Sequence, residues 1–421
     1  MGNNTSSIRN SIPPNDITAT TLFEQEPEVH KKQVTYRIPA LIYISAKQTY
    51  LAFAEKRKTS DDTDAEVLVM RRGWWNDKNI EWDSDHLVLN SALLPNHRSM
   101  NPCPVYEKDS DTLFLFFICV PFGVSENDQM IKKKNQAQLC YITSKDTGRS
   151  WSDIANLNDV ISEKEKHWAT FAVGPGHGFQ MESGRLIIPA YVYYFDSKSA
   201  SSSPISHAFA FYSDDKGSTW HVGDQMEDLE SGECQMAEIM DKGTSTLYCN
   251  ARSKSGYRVE ALSVNGGKTL KELKSAQLIE TGKYGCQGSV LKIISSDQST
   301  GDQSTWLLYS HPSDKKERKD LTIYVNKSLS DPMQWTTMKC INEGPSGYSD
   351  LAECEDQKYI ACLFECGQKS EIEKIDFKLS DINNTTGNLI RFPMRCNGRD
   401  INSESGSGCS SSKLLLQEFQ Y

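Results

Sequence analysis

The chain has 421 residues, a mass of 47.4 kDa and a net charge of −10, with a pI near 5.4. Hydrophobic residues make up 38% of it, which is enough for a large core and excludes a disordered chain. The acidic balance disfavours nucleic acid as a partner, so an anionic ligand would need a local cluster of basic residues. The longest apolar run, Leu113 to Val120, is far shorter than the roughly 20 residues of a membrane-spanning helix.

Residues 1–30 are polar and predict a solvated N-terminal tail without a secretory leader. The first six residues fit the loose N-myristoylation pattern, with Gly2 as the acceptor. The twelve cysteines include no C-x-x-C pair, so we expect reduced thiols in the core rather than disulfides or a zinc site. Residues 393–421 are rich in Ser and Gly and predict a flexible C-terminal tail, in which Cys409 is a second candidate for acylation.

The segment between the tails, residues 31–392, predicts one domain built from many short strands. Runs rich in Val, Ile, Phe, Tyr and Leu alternate with Gly, Asp, Asn and Ser turns, and no long helical period occurs. Clear examples are Ala40–Ile44, Tyr50–Ala54, Glu66–Arg71, Thr112–Ile118, Leu139–Thr143, Arg185–Pro189, His207–Tyr212 and Ser304–Tyr309. So many strands exceed a small sandwich, whereas a propeller closes them radially and protects their edges.

A repeated motif supports a propeller. Ser144–Trp151 and Ser213–Trp220 share the pattern S-x-D-x-G-x-[ST]-W and begin 69 residues apart (213 − 144), and Ser263–Leu270 is a degenerate third copy. In such a turn Asp accepts from backbone N–H groups, Gly takes a positive φ and Trp packs under the hairpin. We therefore interpret Asp146 and Asp215 as structural rather than catalytic.

The motifs in chain order resemble the sialidase (exo-α-neuraminidase) family, over about residues 33 to 378. Some stretches look most like its plasma-membrane, ganglioside-cleaving branch. The resemblance implies an all-β, six-bladed β-propeller with aspartate-box hairpins and a central site. The matching stretches are Tyr36–Leu41, Ala52–Arg57, Arg98–Pro104, Thr170–His177, Gly285–Ser289, Trp306–Pro312, Gly347–Leu351 and Cys362–Gly367.

Three arginines match the family's carboxylate-binding triad. Sialic acid carries a carboxylate on its anomeric carbon, and arginine binds a carboxylate with two parallel hydrogen bonds, which lysine cannot do. Arg37 lies in the Tyr-Arg-Ile-Pro motif, Arg252 in Asn-Ala-Arg-Ser, and Arg318 in a charged run where a solvated surface role stays open.

Tyr348 matches the family's nucleophile, because sialidases use a tyrosine where most glycosidases use a carboxylate. A carboxylate nucleophile would be repelled by the carboxylate on the anomeric carbon, whereas a neutral phenol is not. The phenol needs a base to take its proton, and Glu233 matches that base. Glu238 is a nearby alternative.

Asp62 matches the acid/base residue that protonates the leaving oxygen. Its loop also contains Asp61 and Asp64, so the assignment depends on the spacing to Arg71–Gly73. Since Asp62 must carry a proton to act as the acid, we expect an acidic activity optimum.

A first group of supporting residues lies beside Arg37. Glu55 is expected to orient Arg37, and Arg57 lies on the same strand edge. Ile38, next to Arg37, is included in the predicted substrate-binding set.

A second group is expected to line the sugar. Met100 and Asn101 are candidates for the N-acyl pocket, and Glu126, in a polar loop, for the outer hydroxyls. Tyr191 and Tyr193 alternate at strand period, so both face one side and are candidates for the glycerol pocket, with ordinary strand packing as the alternative.

The predicted function is a retaining exo-α-sialidase that acts on gangliosides, with glycoproteins and oligosaccharides as further substrates, and needs no metal or organic cofactor. Its expected partners are sialylated glycolipids, at a membrane to which the protein binds peripherally, with the cytoplasm as the second candidate location. Alternatives are a sialic-acid-binding lectin without hydrolysis and a pure interaction propeller.

Overall fold

The computed structural model describes residues 19–381, apart from residues 31, 77–78, 197–202, 227–228, 242, 274–276, 297–302, 328–333 and 354–358. The described residues form an all-β fold of 25 strands with two short α-helices, α1 (Glu126–Lys132) and α2 (Asn158–Ile161). Short 3-10 turns occur at Ser45–Lys47, Asp62–Asp64, Asn90–Ala92 and Glu165–His167. Within these residues, no helix has the length and apolar character needed to cross a bilayer.

The strands form five antiparallel sheets that follow one another along the chain. The first sheet contains β2 (Thr35–Ile44), β3 (Thr49–Arg57), β4 (Ala65–Asn76) and β5 (Asn79–Trp82), with β6 (Leu87–Val88) paired to β4. The second contains β7 (His97–Glu107), β8 (Thr112–Pro121), β9 (Gln138–Ser144) and β10 (Ala155–Asn156).

The next two sheets have the same meander order. The third contains β11 (Trp168–Val173), β12 (Phe179–Gln180), β13 (Leu186–Tyr194), β14 (Ile205–Ser213) and β15 (His221–Val222). The fourth contains β16 (Cys234–Asp241), β17 (Thr244–Ala251), β18 (Val259–Ser263) and β19 (Lys271–Glu272).

The fifth sheet has seven strands because one long strand has two sets of partners. Residues 335–345 of β23 (Trp335–Ala352) pair with β22, whereas residues 346–352 pair with β24. The other strands of this sheet are β20 (Ser289–Ser296), β21 (Gln303–Pro312), β22 (Lys319–Asn326), β24 (Tyr359–Cys366), β25 (Lys374–Asp381) and β1 (Thr20–Glu24).

The sheets pack against one another in a closed series. β2 contacts β7, β7 contacts β11, β13 contacts β16, and β16 contacts β20. In the fifth sheet β20 contacts β23, which returns to contact β2. Buried apolar side chains fill the spaces between neighbouring sheets, as Phe53 and Phe117 do between the first two. The fold is therefore all-β with a propeller-like arrangement.

The predicted N-terminal tail was too long. Residues 20–24 form β1, which pairs antiparallel with β25, and they bury Leu22 and Phe23. A Thr-Thr-Leu-Phe run favours a strand, and this strand covers the otherwise open edge of β25. The C-terminal tail, Gly2 and Cys409 lie outside the described residues.

The three repeated motifs form turns with the same hydrogen bonds. Ser213 Oγ donates to Asp215 Oδ1 at 2.8 Å, and Thr219 N donates to the same oxygen at 2.8 Å. Gly217, with φ +86°, donates its N–H to Ser213 Oγ. The turns at Asp146 and Asn265 repeat this pattern.

The cysteines of the described segments are free thiols, as the sequence predicts, and all but Cys340 are buried. Apolar neighbours surround them in the core, as they do Cys119 and Cys140 between the first two sheets.

Candidate active site

Five of the predicted site residues lie at or beside points where β2, β7 and β23 lose regular register, namely Arg37, Ile38, Met100, Asn101 and Tyr348. Such bulges turn side chains out of the ladder and are common beside active sites. Ile38 and Asn101 have φ of 60° and 57°, in the left-handed region. The register shifts fall between Arg37 and Ala40, between Met100 and Cys103, and between Ser346 and Ser349.

Tyr348 and Glu233 meet at the centre of this site. Tyr348 Oη donates to Glu233 Oε1 at 2.6 Å, and the tyrosine is almost fully buried. Burial, together with the negative charge of Glu233, raises the pKa of Tyr348 well above 10, so the phenol keeps its proton until a base removes it. The Glu233 carboxylate is positioned to be that base.

The alternative base, Glu238, belongs to a different contact. Its carboxylate accepts from the Glu182 backbone N–H at 2.9 Å and from Ser245 Oγ at 2.6 Å. The structure therefore brings Glu233, and not Glu238, to Tyr348.

The three predicted arginines surround the Tyr348 side chain. Arg252 Nη1 donates to Tyr348 Oη at 2.8 Å and to Glu233 Oε2 at 2.6 Å. The guanidinium carbons of Arg37 and Arg318 lie 5.3 Å and 5.4 Å from the centre of the Tyr348 ring. A chain with a net charge of −10 thus concentrates positive charge at one point, as binding of an anion requires.

Glu365 is a site residue that the sequence reasoning missed, and it corrects the role assigned to Glu55. Arg37 pairs with Glu365 through Nε at 2.9 Å and Nη2 at 3.1 Å, whereas Glu55 pairs with Arg57. Glu365 also accepts from the backbone N–H groups of Ile38 and Tyr348, each at 3.0 Å. Burial opposes ionisation of Glu365, but Arg37 and these donors outweigh it and lower the pKa of the carboxyl.

A second buried ion pair, between Arg57 and Glu55, contacts Asp62 through Arg57. Arg57, almost fully buried, donates to Glu55 Oε2 at 2.6 Å from Nη2 and to Asp62 Oδ1 from Nη1. Asp62 remains 73% exposed in its side chain and begins the 3-10 turn Asp62–Asp64. The other two acids of the loop are engaged locally, since Asp61 accepts from Thr63 and Asp64 from Thr59.

Glu55 also reaches the predicted N-acyl pocket. Its Oε1 accepts from the Asn101 backbone N–H at 2.7 Å. Met100 Sδ lies 3.2 Å from Arg98 Nε, and both Met100 and Asn101 are nearly buried. Glu55 and Arg57 are thus buried behind Asp62, Met100 and Asn101.

Glu126 and the two tyrosines form another wall. The predicted polar loop is in fact the start of helix α1, which Ser125 and Asp128 cap reciprocally. Tyr191 and Tyr193 lie side by side with ring centres 6.2 Å apart, and Tyr193 hydrogen-bonds Glu126. Desolvation among these groups, with the charges of Glu233 and Asp62, raises the pKa of Glu126 to about 7.

Comparisons with known proteins agree on the family. A model of the BNR repeat-like domain matches residues 48–361. Sialidase-3 of Mus musculus is 43% identical over 404 residues, which cover 87% of this chain and 95% of the relative. Sialidase-2 of Mus musculus is 40% identical over 353 residues, with coverage of 82% and 92%.

Solved structures agree on the fold. The Hadza microbial sialidase Hz136 has a TM-score of 0.67 at 23% identity, covering 84% of this chain and 66% of that one. The Trypanosoma rangeli sialidase has a TM-score of 0.64 at 17% identity, covering 87% and 60%.

The fold, the arginine-lined tyrosine and these relatives define the class of protein, a glycoside hydrolase. The chain belongs to the vertebrate sialidase family, the exo-α-sialidases.

Proposed function

We propose that the protein is a retaining exo-α-sialidase in which Tyr348 is the nucleophile, Glu233 its base and Asp62 the acid/base. The observation that carries the proposal is the 2.6 Å hydrogen bond from Tyr348 to Glu233, set among three arginines. Arg37, Arg252 and Arg318 bind the substrate carboxylate, which holds the anomeric carbon over the Tyr348 hydroxyl.

Two steps account for hydrolysis with retention. In the first, Tyr348 Oη attacks the anomeric carbon while Glu233 takes the phenolic proton and Asp62 protonates the departing oxygen. In the second, Asp62 takes a proton from water as the water attacks the same carbon, and Glu233 returns a proton to Tyr348 as it leaves. The first step thus needs a protonated Asp62 and the second a deprotonated one.

We also propose that the propeller has six blades. The seven-stranded sheet is two four-stranded blades that share β23, and β1 completes the second of them, which supports six with the other four sheets. The three repeated turns are then aspartate boxes on outer hairpins, and their acids serve the fold rather than the reaction.

Glycolipids at a bilayer are the proposed natural substrates, and peripheral association with a membrane is the proposed location. Support comes from the rim beside Glu126, where Phe122 and Ile131 are 52% and 72% exposed and precede the basic run Lys132–Lys134. Exposed apolar side chains next to lysines are typical of surfaces that bind anionic membranes.

The test uses a fluorogenic α-sialoside and mixed ganglioside vesicles. We expect the wild type to hydrolyse both, and Tyr348→Phe to lose at least about a thousandfold in kcat/KM. Tyr106→Phe, which removes a hydroxyl bonded to Asp111 at the far end of β7, is the matched control and should retain full activity.

Two outcomes would contradict parts of the proposal. A wild type that binds sialic acid without hydrolysing either substrate would be a lectin. If Phe122→Ser with Ile131→Ser hydrolysed vesicle gangliosides as well as the wild type does, this rim would not contact the membrane.

A further inference from the structure

A buried ionic cluster that the reaction does not use lies between the fourth and fifth sheets. We call Arg258, Glu280 and His311 the Glu280 cluster. Arg258 Nη1 donates to Glu280 Oε1 at 2.8 Å, and His311 Nε2 lies 3.2 Å from Glu280 Oε2. All three side chains are almost completely buried. Since burying charges costs free energy, such a cluster calls for a reason beyond stability.

The Glu280 carboxylate holds two backbone positions. Its Oε1 accepts from the Ser253 N–H at 3.1 Å, and its Oε2 from the Cys286 N–H at 3.1 Å. Arg258 Nη1 also donates to the Cys286 carbonyl at 2.6 Å. Ser253 directly follows Arg252, so one carboxylate fixes both the base of Arg252 and the segment Tyr284–Cys286.

That segment in turn orients two arginine side chains through its carbonyl groups. The Tyr284 carbonyl accepts from Arg252 Nε at 2.8 Å, and the Gly285 carbonyl accepts from Arg318 Nη2 at 3.1 Å. Gly285 has φ +70°, and a Cβ added to it would lie 2.8 Å from Glu280 Oε2. The close approach of backbone and carboxylate therefore requires glycine here.

We infer that Glu280 is a positioning residue for the carboxylate-binding site, through which Arg252 and Arg318 are held in register with each other. The inference rests on the proposed role of these arginines. It predicts that losing the Glu280 charge weakens binding of the ligand's carboxylate and leaves its other contacts intact.

The experiment compares two competitive inhibitors on the full chain. One is the unsaturated 2-deoxy-2,3-dehydro analogue of sialic acid, and the other is the same compound with the carboxylate converted to a carboxamide. For Glu280→Gln we expect inhibitor affinity to fall at least about tenfold for the carboxylate, the scale of a charge-assisted hydrogen bond, and less than about threefold for the carboxamide.

Glu238→Gln is the matched control. Glu238 is an equally buried acid with backbone and hydroxyl donors, but it lies away from the arginines, so neither affinity should change by more than about twofold. If Glu280→Gln does not fold, Glu280→Asp is the second variant, because it keeps the charge on a side chain one methylene shorter. It should also lose more affinity for the carboxylate than for the carboxamide, but the difference should be smaller.

Equal losses for both inhibitors, or no loss for either, would overturn the inference and assign the cluster a stabilising role alone. Arg252→Lys separates this failure from failure of the proposed function. If Arg252→Lys removes the wild type's preference for the carboxylate and Glu280→Gln does not, the proposed function stands and the positioning role falls. A wild type without that preference would refute the proposed function itself.

Discussion

The Tyr348 hydroxyl donates a hydrogen bond to Glu233 Oε1 and accepts one from Arg252 Nη1. In the proposed mechanism the carboxylate accepts the phenolic proton, while the guanidinium stabilises the negative charge that develops on the phenol oxygen. The same Arg252 also contacts Glu233, so the carboxylate, the phenol and the guanidinium form one hydrogen-bonded unit. A neutral tyrosine as the proposed nucleophile avoids the repulsion that a carboxylate nucleophile would meet from the substrate carboxylate.

Glu365 has no step in the proposed reaction, but its ion pair with Arg37 leads to a prediction about activity. Glu365→Gln removes the charge that pairs with Arg37 and one of the acceptors that hold the Ile38 and Tyr348 backbones. We expect kcat/KM for a soluble α-sialoside to fall at least about tenfold, as for other buried ion pairs that orient a site. Glu107→Gln, a buried acid of the β7–β8 turn, should keep full activity. Equal losses in both variants would indicate general destabilisation.

Glu126 gives a prediction about pH and stability. Its pKa rises from 4.5 to about 7 on folding, so its favourable contribution is complete below pH 4.5 and is lost as the pH rises through 7. Glu126→Gln should therefore match the wild-type Tm at pH 4.5 and exceed it increasingly up to pH 7.5.

Asp128, two residues further on, is the control with the opposite sign. Hydrogen bonds from Ser125 lower the pKa of Asp128, so its contribution is present above 3.8 and is lost as the pH falls. Asp128→Asn should lower the Tm at neutral pH. If Glu126→Gln also lowered it there, the charge of Glu126 would not be disfavoured in the folded state.

Single residues show how far sequence reasoning reaches into the site. The structure brings Tyr348, Glu233 and the three arginines together, as the resemblance to the sialidase family predicts. Glu365 left a weaker signal, as the one charged residue in the apolar strand Tyr359–Cys366. Its partner Arg37 is 328 residues away and meets it only through ring closure, so no local pattern could pair them.

At the scale of elements, bulges place the site and turns stabilise the hairpins. Strands of three sheets, β2, β7 and β23, break register where Arg37, Asn101 and Tyr348 lie, so these side chains leave the ladder. The eight strands predicted from sequence all fall within or overlap observed strands, because apolar runs bounded by turn residues identify them. Helix α1 was missed because it is short, although Ser125 and Asp128 carry a capping signal.

The repeated turns give a prediction at this scale. Asp215→Ala removes acceptors for Thr219 N, Thr219 Oγ1 and Ser213 Oγ, and should cost about 1 kcal/mol in the free energy of unfolding while leaving kcat unchanged. Urea unfolding measures the change. Asp215→Asn should cost less, because Asn265 in the third turn also accepts from Ser263 Oγ and Thr269 N through Oδ1, and donates from Nδ2 to Thr269 Oγ1. A loss of kcat in a stable Asp215→Ala protein would contradict a purely structural role.

At the scale of the whole molecule, the two ends of the described chain meet in one sheet. β1 pairs with β25, in the same sheet as Tyr348 and Glu365, and β23 contacts β2, which carries Arg37. The sequence predicted a closed propeller but not the pairing of β1 with β25. A five-residue strand after a polar segment resembles part of a tail. The position of Arg37 beside Tyr348 and Glu365 thus depends on contacts between the first and last sheets.

Closure is tested by Phe23→Ala. Phe23 is buried in β1 against the last sheet, so its truncation should cost about 3 to 5 kcal/mol in unfolding free energy. Val264→Ala, at an apolar residue that is 83% exposed, should change it by less than about 0.5 kcal/mol. Equal, small effects would show that β1 contributes nothing to the folded ring.

The most direct test of the central claim is to trap the intermediate with a 2,3-difluorinated sialosyl fluoride and locate the added mass by peptide mapping. Fluorine beside the anomeric carbon slows both steps, and the fluoride leaving group needs no acid, so a covalent intermediate accumulates. We predict one sialosyl group per chain, on the peptide that contains Tyr348, and none in Tyr348→Phe. A label on Glu233 or another residue, or rapid turnover without any label, would contradict Tyr348 as the nucleophile.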